Sequence, residues 1–198
     1  MGARLPSEVM SSSDGRWLIT GGIGSGKSEV RRLLAERGIH TIDADSIGHA
    51  VLSNEGFARV AERWPSVVLE GQIDRKALAR IVFADTGELR ALEAITHPLI
   101  FGRIEADLEG FPGIAVVEMP ITAPPLGWPT IVVDAEDEIR VQRAMHRGVD
   151  EADVRRRMAS QPSRAEWLAV ADLVVPNHGD LRQLETTVAS LGDYLEGG

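Results

Sequence analysis

Gly21-Gly22-Ile23-Gly24-Ser25-Gly26-Lys27-Ser28 decides how the chain folds. The stretch fits the pattern Gly-x4-Gly-Lys-[Ser/Thr] and directly follows the apolar run Trp17-Leu18-Ile19. A strand that ends in such a loop and feeds a helix points backbone N–H groups at one spot. The helix N-terminus adds its partial positive charge there. Val30, Leu33 and Leu34 continue at helical spacing, Arg31, Arg32 and Glu36 fill the polar face, and Gly38 stands where a helix stops. The pattern predicts a nucleoside triphosphate site in which Lys27 reaches the β- and γ-phosphates and Ser28 ligates Mg²⁺ through its hydroxyl. An ordinary glycine-rich turn is the alternative, and such turns rarely carry the full Lys-Ser ending in this context. Glu29 is the oddity: a carboxylate there either points away or repels the nucleotide.

The 198 residues suit one domain, residues 16–198, behind a flexible polar tail at 1–15 whose Ser11-Ser12-Ser13 has none of the apolar core of a signal peptide. Hydrophobic residues at 43% and charged residues at 26% place the chain among soluble globular proteins. A net charge of −9 argues against a general nucleic-acid binder, so an anionic ligand needs a local basic cluster. With no cysteine, disulfides, thiolate catalysis and cysteine-based zinc sites are excluded. No apolar run approaches membrane-spanning length, and the expected location is the cytoplasm. Oligomeric state is not encoded in any pattern of this chain.

Working outward from the loop, short β-branched runs recur at Ile39–Ile42, Ile114–Val117, Ile131–Val133 and Leu173–Val175, with helical segments between them. Their lack of alternation predicts strands buried on both faces of a parallel five-stranded α/β sheet, with functional residues at the strands' carboxyl ends. Between the second and third runs lie roughly seventy residues that read as entirely helical, longer than an ordinary crossover. Asp74 is read as the cap of a helix bearing Leu78, Ile81 and Val82. Leu89, Leu92 and Ile95 form another helix, ended by Pro98 after Thr96-His97. The segment serves substrate recognition or packing alone.

Asp43-Ala44-Asp45 closes the second run, and strand alternation would aim one carboxylate at the phosphates. Asp45 either orients an attacking hydroxyl or caps the helix containing Ile47 and Val51. Arg140, Arg143 and Arg147 recur at helical spacing along one face, and Arg155, Arg156 and Arg157 follow. They solvate helix faces, with Glu136 and Asp137 as partners, or form a helical lid that neutralises a transferring phosphoryl group and excludes water.

From about Trp17 to Tyr194 these landmarks resemble the dephospho-CoA kinase family of P-loop kinases. The resemblance rests on Thr20 to Ser28, Ile42-Asp-Ala-Asp45, Ile73-Asp-Arg75 with Leu78, Ile81-Val-Phe83 and Leu92-Glu93 with Thr96-His-Pro98. It continues through Arg143 with Arg147, Gln161, and Ala171-Asp172 with Asn177. It implies a P-loop NTPase-type sheet, a helical substrate-binding insertion at about 46–112 and a lid at about 143–165. It also implies ATP and Mg²⁺ as cofactors and dephospho-CoA as the small-molecule substrate, phosphorylated on its ribose 3′-hydroxyl. Asp45 would be the general base, assisted by Lys27, Arg143 and Arg147. Gly22, Gly24, Ser25, Gly26, Lys27, Ser28, Glu29 and Asn177 would hold the nucleotide, and Asp43, Arg75 and His97 the acceptor. His97 and Asn177 also have bland readings, as helix-turn and turn-shaping residues.

Four positions depart from the family's pattern. Glu29 stands for Thr, Arg140 for Gln, Glu118 for Asp, and Pro120-Ile-Thr-Ala-Pro-Pro125 for Pro-Leu-Leu-Phe-Glu. They keep two other functions open: a kinase for a different small hydroxyl-bearing metabolite, and a nucleotide-binding paralogue with a regulatory role.

Overall fold

The computed structural model describes residues 15–121 and 127–197, so residues 122–126 of the departing Pro120–Pro125 segment and residues 1–14 of the polar tail lie outside it. Strand β1 (Arg16–Thr20) runs between β5 (Ala115–Glu118) and β6 (Thr130–Asp134), parallel to both. β2 (His40–Asp43) and β7 (Leu173–Pro176) complete a five-stranded sheet in the order β2-β5-β1-β6-β7. Trp17 through Thr20 and all of β5 and β6 are buried, which explains the absent alternation: both faces are covered. β2, β5 and β6 end on the acidic residues Asp43, Glu118 and Asp134, each beyond the apolar run that marks its strand. A charged side chain leaves the backbone free to keep pairing, as Glu118 does opposite Ile19.

α1 (Lys27–Glu36) and α9 (Leu181–Gly197) pack together on the sheet. Val30 and Leu34 from α1 meet Leu184, Val188, Leu191 and Leu195 from α9 over Trp17, Ile19, Ile131 and Val133. α1 stops at Gly38, which takes a φ of 89°. Between β6 and β7 stands a helical arm of α6 (Asp137–His146), α7 (Glu151–Ala159) and α8 (Arg164–Ala169). It has its own small core of Val141, Ala144 and Val154, with Met158 against it.

By internal packing the chain forms two units, Met1–Ile42 with Pro112–Gly198, and Asp43–Phe111. The second holds α2 (Ala44–Ser53), α3 (Phe57–Arg63), α4 (Arg75–Val82) and α5 (Thr86–Leu108). Val60, Trp64, Val67, Leu78, Val82 and Ile95 form its core. Asp74 caps α4 as expected, accepting from the N–H groups of Lys76 and Ala77.

Two expectations fail in this unit. It is not entirely helical: β3 (Val68–Leu69) and β4 (Gln72–Ile73) form an antiparallel hairpin. Its two-residue turn has positive φ at both Glu70 (50°) and Gly71 (77°), a type I′ geometry suited to the strand twist. Nor does Pro98 end a helix, because α5 passes through it. The missing N–H costs about 3 kcal/mol. Ile95 before the proline and Ile104 and Leu108 after it are buried, and at roughly 2 kcal/mol per side chain their burial outweighs that cost.

Candidate active site

The loop after β1 is shaped by residues that tolerate unusual backbone. Gly26, the N-cap of α1, takes φ 99°, and Gly24 takes φ 78° with the backbone of Arg140 pressed against its Cα. Lys27, the first helical residue, turns its ammonium back to donate to the carbonyls of Gly21 (2.9 Å) and Gly22 (3.4 Å). The Ser28 hydroxyl donates to Glu118 Oε1 at 2.8 Å, while Arg31 Nε reaches Glu118 Oε2 at 2.8 Å. A hydroxyl and a buried carboxylate thus stand side by side at the head of α1, where the helix dipole favours anions.

The C-terminal third supplies the rest of this site. Asn177, buried just after β7, donates from Nδ2 to the Ser25 carbonyl (2.8 Å) and accepts at Oδ1 from Arg143 (3.0 Å). Arg143 also donates to the carbonyls of Asn177 and Gly179. Gln161 Oε1 accepts from the Ile23 N–H at 2.8 Å, and Arg140 Nε donates to the Ile23 carbonyl at 2.9 Å. The result is a cavity of about 410 Å³ walled by Gly24, Gly26, Arg143, Arg147, Asn177 and Leu181. Among the described residues neither Arg143 nor Arg147 pairs with a carboxylate, so their charge is available to an anion. Burial lowers the Arg143 pKa from its ordinary value, and repulsion from Arg147 adds to the shift.

The three arginines do not act as one face. Arg140 turns into the protein, 3% exposed, and pairs with Asp137 at 2.8 Å, while Arg143 and Arg147 line the cavity. Burial lowers the Arg140 pKa, against the opposing pull of Asp137. Glu29 also lines this cavity, but its charge is paired. Its carboxylate bonds to Arg32 (2.6 Å), which holds its pKa below the ordinary value despite partial burial. Arg155 answers Glu138 and Glu151 on the surface of the arm.

Within the second unit, Asp45, His49, Arg75, Lys76 and His97 line a cavity of about 550 Å³ whose other wall includes Leu78, Val82, Phe83 and Leu92. Cationic and imidazole groups beside an apolar trough suit a ligand with an anionic end and a long apolar or amide body. His97 also stacks edge-on with Phe101, 5.7 Å between ring centroids. Asp43 does not line this cavity. It caps α2, with Oδ1 accepting from the Ser46 N–H and Oδ2 from the Ser46 hydroxyl. The helix begins at Ala44, so strand alternation does not govern the Asp43/Asp45 pair, and the capping role considered for Asp45 belongs to Asp43.

The structure therefore groups the loop residues, Glu29, Asn177, Arg143 and Arg147 in one site and Asp45, Arg75 and His97 in another. The sequence places Arg140 with the lid arginines but not against the phosphate loop, and it gives Glu118 and Gln161 no site. Their signal was available: an acid closing a buried strand, and two long polar side chains within the arm. His49 and Lys76 carried no signal beyond helical spacing with Asp45 and a neighbour in Arg75.

Comparison with known proteins follows the same lines. A family model described as dephospho-CoA kinase matches residues 18–183. The dephospho-CoA kinase of Streptomyces avermitilis is 41% identical over 185 residues, covering 87% of this chain and 90% of that protein. Among solved structures, TT1252 from Thermus thermophilus matches with a TM-score of 0.79 at 33% identity, covering 89% of this chain and 95% of that one. Dephospho-CoA kinase from Campylobacter jejuni matches with a TM-score of 0.69 at 25% identity, covering 93% and 98%.

Proposed function

The chain belongs to the dephospho-CoA kinase family, and on that premise we infer that it is a small-molecule kinase that transfers the γ-phosphoryl group of ATP to the ribose 3′-hydroxyl of dephospho-CoA, giving CoA and ADP. The observation that carries the donor half is the cavity bounded by the phosphate loop on one side and the uncompensated Arg143 and Arg147 on the other. Backbone N–H groups of Gly24, Gly26, Lys27 and Ser28 receive the phosphates. Lys27 leaves the loop carbonyls for the β- and γ-phosphates, and the two arginines spread the charge of the transferring group. Asn177 lies on the nucleotide side, and the Glu29 carboxylate at the cavity edge is offset by Arg32.

In the second unit Arg75 and His97 hold the anionic part of the acceptor, and Asp45 is the general base. As the 3′-oxygen forms its bond to the γ-phosphorus and the bond to the β–γ bridging oxygen breaks, Asp45 accepts the hydroxyl proton. Asp43 serves indirectly, by fixing the start of α2 next to Asp45. Ser28 and Glu118 suit Mg²⁺, an ion that keeps several waters and phosphate oxygens and needs only one or two protein ligands. Among the described residues no group of three or more His, Asp or Glu side chains could hold a metal alone. Held there, Mg²⁺ would supply positive charge to offset that of the phosphates. No helix of the described residues is long and apolar enough to cross a membrane, and this reading puts the reaction in the cytoplasm.

Incubation with Mg·ATP and dephospho-CoA tests the reading directly: CoA and ADP should accumulate together. ADP that forms only with another hydroxyl acceptor would overturn the substrate. Asp45→Asn should keep ATP affinity in calorimetry and lose transfer by about 10²- to 10⁴-fold. Full activity in that variant would remove Asp45 as the base.

A further inference from the structure

Ile23, at the bend of the phosphate loop, is gripped on both of its backbone polar groups by side chains from the helical arm. Its N–H donates to Gln161 Oε1 at 2.8 Å, and its carbonyl accepts from Arg140 Nε at 2.9 Å. Neither bond uses the N–H groups of Gly24, Gly26, Lys27 or Ser28, which face the phosphate position in such loops. Both grips are built in. Arg140 is 3% exposed and is itself fixed by Asp137. A Cβ on Gly22 would meet the Arg140 guanidinium, and one on Gly24 would meet the Arg140 carbonyl. The loop therefore lies flat against α6.

Gln161 follows α7, and its own N–H donates to the carbonyl of Met158, which packs on the arm's small core. Lys27 meanwhile bonds to the carbonyls of Gly21 and Gly22. Those bonds must break when the ammonium turns to a nucleotide, and the loop then needs another source of shape.

We propose that Arg140 and Gln161 are positioning residues for phosphoryl transfer: they clamp the two faces of Ile23, keep the loop in its phosphate-ready form once Lys27 has left it, and tie that form to the helical arm. The pair divides its labour by chemistry, because a carbonyl needs the donor Arg140 and an N–H needs the acceptor Gln161. The assignment rests on the kinase reading of the loop but not on the identity of the acceptor.

The test is ATP affinity measured by calorimetry with no acceptor present, so a failure of the dephospho-CoA assignment would leave it intact. Gln161 is only partly buried, which makes Gln161→Met a mild change in shape. It leaves the Ile23 N–H without its acceptor and should weaken ATP binding about tenfold. In an Ile23→Pro background, which has no N–H at that position, the same substitution should cost no further affinity. The KM for the acceptor should stay unchanged in Gln161→Met while the KM for ATP rises, whereas a general loss of structure would move both. Unchanged ATP affinity in a folded Gln161→Met protein overturns the proposal, as does an equal loss in the Ile23→Pro background. Arg140→Gln, which keeps a donor but shortens the reach, supplies a second arm. It should also weaken ATP binding, and affinity equal to the unaltered protein would remove Arg140 from the clamp.

Discussion

Glu29 shows how a single departure is absorbed. A carboxylate one residue beyond the Lys-Ser pair would oppose a triphosphate if it faced the cavity unpaired. It lines the cavity but is bonded to Arg32, and that contact lowers its pKa. An exposed ion pair is worth at most about 1 kcal/mol, and the field left after such pairing is smaller still. Glu29→Thr should therefore change ATP affinity by less than about twofold, near 0.4 kcal/mol. A tenfold tightening in calorimetry would show that the carboxylate does burden the site. Local polar chemistry hid more than it revealed at this scale. Lys27 and Ser28 announce themselves by spacing, whereas the roles of Asp43 and Asp45 turn on where a helix starts, which no spacing rule resolves to one residue.

At the scale of elements, β6 and α8 are joined by Asp134 and Arg164 through two bonds of 2.7 and 2.8 Å. The Arg164 guanidinium holds the Asp134 carboxyl below its ordinary value, against partial burial that pushes it up, with smaller help from His178 and Arg140. A carboxylate depressed in the folded state stabilises the fold fully above the unfolded carboxylate range, and that contribution is lost as pH falls through the folded value. Arg164→Gln should thus unfold at a higher pH during acid titration followed by circular dichroism. An unmoved acid midpoint would mean that the pair adds nothing. The sheet strands were legible because buried parallel strands are continuous apolar runs. The β3–β4 hairpin was not, because its strands are two residues each and its turn opens on a glutamate in place of the usual Asn or Asp. Helix α5 was cut short at Pro98 because local propensity speaks of the lost bond and not of the burial on either side.

At the scale of the whole molecule the chain forms two units, each with its own cavity, and the proposed function assigns one ligand to each. Hydrogen exchange should read this division. Mg·ATP should raise protection in the phosphate loop, α1 and α6, while dephospho-CoA should raise it in α2, α4 and the first half of α5. Protection by dephospho-CoA confined to the first unit would overturn the assignment of the second cavity. The legibility of the sequence follows the same division. The phosphate loop is built from local sequence and reads directly, whereas the cavity of the second unit is assembled from three helices, and only Asp45, Arg75 and His97 of its polar lining could be named in advance. One consequence of the resting lysine reaches furthest. Because Lys27 already satisfies itself on Gly21 and Gly22 within a body carrying a net charge of −9, an incoming anion meets competition before attraction. A charged hydrogen bond is worth about 1.5–3 kcal/mol, so a polyphosphate long enough to reach both loop and arginines should displace Lys27 more readily than a lone inorganic phosphate. Inorganic phosphate should therefore inhibit far more weakly than ADP, measured as the two inhibition constants against ATP, which makes the loop a discriminator of chain length as well as a cradle for charge.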